Sequence, residues 1–417
     1  MKIINCLIAF TMLAGIAQAG ELAILQQEAL ENREIVQRYI NDLEKSASDK
    51  SLAYSALYPK VDLSYTTSWL DERTAFEAKE NSVMDGTVSL NLFAGFRDKY
   101  NIESAELLRK SSEHKLQGIR QDIKLAVALR YLEIYNRQAR LQVAEDSYTT
   151  LVKLYEDALT RYQVGLIRKS DMLTFKVDLD NETITRDKAR AELEKSGALL
   201  IRETGVEFDY RKLAFPEFSD LPELSEGREY YEQEMLSKRS ELKFLEEVTR
   251  AAELKIKVER ALYFPRVDVG GVYSKYDEDP VIGRGPDPDE EFRGQLVLSM
   301  NLFDGFGKDA RISGARHEAE GLRHDLEEAK KDYITQIHNL FLDFKVSSDN
   351  VSVAEGSIVQ AEENLRVTRL SYDEGVSAES ELLDAITNLS RAKFNYVAAK
   401  SEVFANYFQI VRMAEGL

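Results

Sequence analysis

The chain has 417 residues, 44% of them hydrophobic and 31% charged, with a formal net charge of −18. So acidic a chain is a poor partner for nucleic acid, whose phosphates call for a basic surface. Its single cysteine, Cys6, excludes a disulfide framework and a cysteine metal site.

Residues 1–19 read as an export signal rather than as part of the fold. Lys2 supplies the positive start, Ile3 to Ile16 the apolar run, and Ala17-Gln18-Ala19 a small-residue cleavage site before Gly20. The mature chain would then lack cysteine and be one charge more negative. Its acidity suits solubility, or a pore that favours cations. No later stretch approaches the ~18 consecutive apolar residues of a membrane helix. A membrane role would have to come through β-strands.

From Leu22 to Leu57 the pattern predicts a helix, which Pro59 stops because it cannot continue the hydrogen-bond ladder. Alternation then puts Val61, Leu63, Tyr65, Thr67 and Trp69 on one face of a strand at about 60–69. Val88, Leu90 and Leu92 share a face of the next, at about 87–93. The connection from Leu70 to Gly86 is polar. Arg97 opens a helix that runs to about Tyr162. In it Leu141, Ala144, Tyr148, Leu151, Tyr155, Ala158 and Tyr162 step by three and four, a heptad seam that calls for packing against other helices. About 65 residues at ~1.5 Å each make a rod on the order of 100 Å long. Gly165 breaks it, and another helix covers about 170–202. Gly205 to Glu226, with Pro216 and Pro222, reads as a linker.

The second half repeats this plan. A helix is expected over about 228–262, strands over about 266–276 and 292–303, and a long helix over about 308–372 with Leu322, Leu326, Ala329 and Tyr333 on one seam. Gly375 breaks it before a last helix. The repetition extends to the letters. Leu90-Asn91-Leu92-Phe93-Ala94-Gly95-Phe96 returns 210 positions later as Met300-Asn301-Leu302-Phe303-Asp304-Gly305-Phe306. Tyr58-Pro59-Lys60-Val61-Asp62 returns 206 positions later as Phe264-Pro265-Arg266-Val267-Asp268. A duplicated unit of this size builds a quasi-symmetric object. The expected units are 20–204 and 227–417, joined by 205–226. Summed helix lengths predict an elongated cylinder in which two short helices, end to end, lie beside one long one.

Four strands per chain are too few to close a membrane sheet, whose open edges would leave backbone groups unpaired in lipid. Several chains must contribute; three would give 12 strands and two would give 8, the usual minimum. Aromatic residues flank the strands as an interfacial belt would: Tyr58, Phe93, Phe96, Tyr263, Phe264, Phe303 and Phe306 at the helix side, Trp69, Tyr273 and Tyr276 at the other.

With the strand-entry motifs at Tyr58-Pro59 and Phe264-Pro265, the Leu-Phe-x-Gly corners and Tyr162-Gln163-Val164-Gly165-Leu166 before Asp171-Met172-Leu173, the chain resembles the TolC-like outer-membrane efflux proteins. The resemblance covers nearly all of 20–417. It implies a mostly α fold with a membrane β-barrel: a homotrimer whose 12-stranded barrel, set among outer-membrane lipids, continues into a periplasmic α-helical tunnel. It implies a passive exit duct of a tripartite efflux or type I secretion system. The partners would be a periplasmic adaptor (membrane fusion) protein and an inner-membrane pump. It places adaptor docking at the helix tips, Val164, Gly165, Leu166 and Glu374, Gly375, Val376, with Glu374 departing from the apolar residue usual there. It places the periplasmic constriction at Glu381 and Asp384, and a tip latch at Asp171 and Tyr372. The family's basic latch residue is replaced by Ser377, and Arg168 or Lys169 would have to substitute. Drugs, metal ions and secreted polypeptides are all compatible cargoes. The alternative reading is a periplasmic coiled-coil adaptor, which has long heptad hairpins but no duplicated strand pairs.

No catalytic, cofactor or metal motif is recognisable. His114, His317, His324 and His338 lie on charged helical stretches. Asp287, Asp289, Glu290 and Glu291 crowd the second inter-strand loop, which reads as a solvated external loop.

Overall fold

The computed structural model describes residues 20–73, 78–284 and 289–417. The export signal, Cys6 and Asp287 lie outside the described residues. In chain order the elements are α1 (Glu21–Asn32), α2 (Glu34–Tyr54), β1 (Lys60–Trp69), β2 (Glu80–Ala94), α3 (Arg97–Gln163) and α4 (Lys169–Thr204). Then come α5 (Arg228–Lys238), α6 (Ser240–Arg260), β3 (Arg266–Asp277), β4 (Asp289–Ser299), α7 (Gly307–Asp373) and α8 (Glu379–Met413). The two long helices, α3 and α7, have 67 residues each.

The helix expected over 22–57 is two helices and a 3₁₀ turn (Ser55–Leu57), and the helix expected over 228–262 divides the same way. The breaks fall on equivalent arginines. Arg33 and Arg239 are extended, with ψ near 120°, so the ladder is interrupted there. Arg33 then pairs with Glu203, and Arg239 lies 4.0 Å over the Tyr333 ring. Arg239 is buried, and a buried cation needs such a partner.

The described residues form two compact units: 20–38 with 117–240 and 330–417, and those of 39–116 with those of 241–329. Each draws on both sequence repeats, so the repeats are not themselves compact units.

The second unit holds one antiparallel sheet in the order β1-β2-β3-β4. Residues paired across it share a face. Val61–Val88, Leu63–Gly86–Tyr273–Phe292 and Leu90–Val269–Leu296 make one face apolar. Asp62–Thr87–Val272–Arg293, Asp85–Ser274–Glu291 and Asn91–Asp268 make the other largely polar. The polar face carries its own hydrogen bonds, Ser274 to Asp85 at 2.6 Å and Asn91 to Asp268 at 2.9 Å. On the apolar face Leu63, Phe292 and Leu298 are more than 70% exposed. Large apolar side chains in the open on one face, opposite polar ones, are the pattern of a lipid-facing sheet. Trp69 and Tyr273 lie on that face. Tyr276 does not: it is on the polar face, its hydroxyl accepting from the Ala78 amide at 3.2 Å.

Two strand bounds differ from expectation. β2 starts at Glu80, so the connection is 70–79 rather than 70–86; its first residues pair with β1 down to Glu80–Trp69. β4 covers 289–299, not 292–303. β3 begins at Arg266 opposite Ser299, so the chain has nothing left to pair with Met300–Phe303. Asp289, Glu290 and Glu291 therefore belong to a strand, with Glu290 held by Lys275 and Glu291 by Arg293, both at 2.8 Å.

Over 141–162, the span of the expected seam, the buried residues of α3 are Ala144, Ser147, Leu151, Leu154 and Ala158. They share three residues with that seam. Tyr148 and Tyr155 instead sit at the margin, beneath Arg186 (4.1 Å) and Lys176 (5.9 Å), where a phenol keeps its polar end wet. Tyr131 anchors the linker segment. Its fully buried hydroxyl, whose one proton lies between two carboxylates, is 2.9 Å from Glu21 and 3.0 Å from Glu217. Its ring packs on Phe215 and Phe218 at 4.8 and 5.4 Å.

Candidate functional site: the two helix tips

Two hairpins, α3–α4 and α7–α8, end in tips of one design. Gly165 and Gly375 have φ of +77° and +76°, the left-handed conformation that closes a helix cheaply only with glycine. The Leu166 amide donates back to the Arg161 carbonyl at 2.9 Å, and the Val376 amide to the Ser371 carbonyl at 2.8 Å. A Cβ at either glycine would meet nothing within 4 Å. The backbone, then, requires glycine here, and the space over it is open. Apolar side chains flank it in solvent: Val164 is 67% exposed, Leu166 74% and Val376 82%. The turn type usually tucks such a residue against its helix; here it is presented outward. Glu374 is exposed as well.

Behind the tips the four helices share a core. Leu151, Leu154 and Ala158 of α3 meet Phe175 of α4 and Leu382, Leu383 and Ile386 of α8, with Tyr372 of α7 packed against them. Tyr372 stands edge-on to Phe175 at 6.0 Å. Its hydroxyl makes no hydrogen bond among the described residues, and burial raises its pKa. The link between the tips is made by Arg161, a residue the sequence did not single out. Its guanidinium lies 5.5 Å over the Tyr372 ring and 3.5 Å from Asp373. Its counterpart in the second copy is Ser371, so the repeat gave no signal for it.

Asp171 does not reach the second tip. It accepts from Ser170 at 2.8 Å and from the Arg168 amide at 3.2 Å, and pairs with the Arg168 guanidinium at 3.3 Å. The hydrogen bond from Ser170, followed by those from Arg168, lowers its pKa. Its bond from the Arg168 amide satisfies the N-cap donor at the start of α4.

Glu381 is the counterpart of Asp171, and Ala378 stands where Arg168 would be. Glu381 and Asp384 lie exposed on one face of α8, opposite buried Leu382 and Leu383. Neither carboxylate has a hydrogen bond or ion pair among the described residues. Asp384 also borders a groove of about 380 Å³ between α4 and α8, lined with Asp178 and Glu182. Burial, then the Asp384 charge, raises the pKa of Asp178, and burial raises that of Glu182. The spacing of four on α4 puts Asp178 and Glu182 on one face, a signal visible in the sequence and passed over there.

Similarities to known proteins bear on this architecture. The chain is 20% identical to the outer membrane protein TolC of Vibrio cholerae over 404 residues, covering 93% of this chain and 91% of that one. It is 22% identical to the alkaline protease secretion protein AprF of Pseudomonas aeruginosa, over 89% of this chain and 81% of the other. It superposes on the crystal structure of CusC with a TM-score of 0.84 at 16% identity, covering 95% and 94% of the two chains. The profile of the Outer membrane efflux protein family matches residues 25–205 and 232–414, one match to each copy of the repeat. With both copies matched and the fold shared from end to end, the chain belongs to the Outer membrane efflux protein family.

Proposed function

We propose that this chain is one protomer of a homotrimeric exit duct in the outer membrane, passing cargo outward from an inner-membrane pump through a periplasmic adaptor. The observation that carries the reading is the sheet. It has four strands, one apolar face, one largely polar face and two outer edges that nothing among the described residues covers. Such a sheet is stable in lipid only when closed on copies of itself. The helices supply a conduit without a chemical step, and the pump supplies the energy.

The adaptor docks on the tips. The open space over Gly165 and Gly375, flanked by exposed Val164, Leu166 and Val376, suits an apolar ridge of a partner helix. Glu381 and Asp384 narrow the mouth: three copies bring six unpaired carboxylates together, a ring that attracts cations and repels itself. Arg161 with Tyr372 and Asp373, rather than Asp171, holds the tips within a protomer. The family named for efflux and the relative named for protease secretion support a duct whose cargo is chosen by its pump.

Membrane fractionation and planar-bilayer recording test the reading together. An outer-membrane trimer that conducts ions supports it. A protein released in soluble form, as a periplasmic adaptor would be, overturns it.

A further inference from the structure

The repeat and the sheet register together specify how neighbouring chains join. Within the chain, β2 and β3 pair as Leu90–Val269 and Asn91–Asp268; a bulge at Leu92 follows, then Phe93–Val267 and Ala94–Arg266. The repeat equates β2 with β4 and the residues after it (plus 210) and β3 with β1 (minus 206). The structure obeys the equivalence closely. β1 pairs with β2 as Lys60–Ser89, and β3 with β4 as Arg266–Ser299, the same pair shifted by 206 and 210. The corners match too: Gly95 and Phe96 have φ of 65° and 67°, Gly305 and Phe306 of 68° and 66°. Phe93 meets Phe96 edge-on at 5.3 Å, and Phe303 meets Phe306 at 5.5 Å.

What differs is the cover. Gly95 is buried, with its Cβ position 2.6 Å from the Ala261 carbonyl oxygen and 2.7 Å from the Phe264 Cβ. Gly305 is exposed, with nothing within 4 Å. Leu302 and Phe303 beside it are 85% and 71% exposed. Backbone already shaped to be covered, and left bare, marks the place of a second copy of this chain.

We propose that Met300–Asp304 extends β4 and pairs with β1 of a neighbouring copy in the register of the internal β2–β3 pair. Met300 then lies opposite Leu63 and Asn301 opposite Asp62; Phe303 follows opposite Val61 and Asp304 opposite Lys60. Facing and chemistry agree. Met300 and Leu63 both belong to the apolar face. Asn301 and Asp62 reproduce the Asn91–Asp268 hydrogen bond of the polar face, which is 2.9 Å long within the chain. Asp304 meets Lys60, an exposed cation with no partner among the described residues. Gly305 takes the neighbour's Tyr58 as Gly95 takes Phe264. The pairing rests on the trimeric reading and adds its register.

Thiol cross-linking tests it, since the sequence's one cysteine is Cys6. Within one chain Leu63 lies level with Phe292 of β4, three strand spacings of ~4.8 Å away, and Met300 is eight residues further along, so the two are far too distant for a disulfide. Oxidation of M300C/L63C in membranes therefore yields covalent oligomers up to trimer, whereas M300C/Y65C, slipped by two residues, yields few. A trimer that cross-links only through the slipped pair overturns the register and leaves the trimer standing. A protein with no oligomer at all overturns the trimeric reading itself. Should the cysteine variants fold poorly, N301D decides: two facing carboxylates lower the yield of trimer in mild detergent, and the swap N301D/D62N restores it. Failure of the swap to restore it counts against the pairing.

Discussion

The two corners of this molecule, Leu90–Phe96 and Met300–Phe306, have nearly the same sequence and the same backbone, yet one is covered and the other is bare. Local sequence set the shared part. Asn-Leu-Phe, then a residue, then Gly-Phe gives the same left-handed pair in both places. The difference lies in connectivity. β2 has a strand on each side, whereas β4 ends the sheet. An identical motif is thus a core element in one copy and an interface element in the other.

The largest effect that separates the copies is expected at their glycines. Gly95→Ala costs about 1–2 kcal/mol for the left-handed backbone alone, and in addition drives a methyl into Ala261 and Phe264. Folded, membrane-inserted protein should fall sharply. Gly305→Ala carries the backbone cost only, so its protomer should fold and its loss should appear as fewer trimers. Equal losses of folded protomer would break the comparison. At the tips the duplicated acids differ likewise. Glu381→Ala with Asp384→Ala should raise single-channel conductance and weaken cation preference in a planar bilayer. Asp171→Ala, which removes an acid already held by Arg168, should change neither.

Two smaller substitutions convert the first copy into the second. Phe341 occupies the position equivalent to Tyr131, so Tyr131→Phe tests what the hydroxyl adds. Losing a buried hydrogen bond to a carboxylate should cost about 1.5–3 kcal/mol, read as lower thermal stability. An unchanged melting temperature would show that Glu21 and Glu217 hold the linker without it. Asn388 is equivalent to Asp178, whose pKa is raised by burial and then by Asp384. A raised carboxyl pKa means that folding disfavours the ionised form. Its penalty is absent below the ordinary carboxylate range and grows as pH rises through the raised value. Asp178→Asn should remove that part of the decline, so that the melting temperature falls less between mildly acidic and neutral buffer.

Much of this was legible in the sequence because it is local or periodic. Pro59 and Pro265 end helices, Gly165 and Gly375 end the long rods, and alternation marks the strands. Glu381 and Asp384 were singled out through the resemblance and the tip spacing, and both lie exposed on α8. Arg33 and Arg239 were not read as helix breaks, since their partners, Glu203 and Tyr333, lie far away in sequence. Arg161 went unseen for the same reason. Its neighbours Tyr372 and Asp373 come from the other hairpin.

The sequence alone determined the duplication, the order of helices and strands, and the need for more strands than one chain owns. These follow from periodicity and from the cost of unpaired backbone in lipid. The tertiary structure decided which acid is neutralised and which stands free, where β4 stops, and which copy of a shared corner is buried. Those depend on what lies opposite in space, and a repeat written twice along a chain does not have the same neighbours twice.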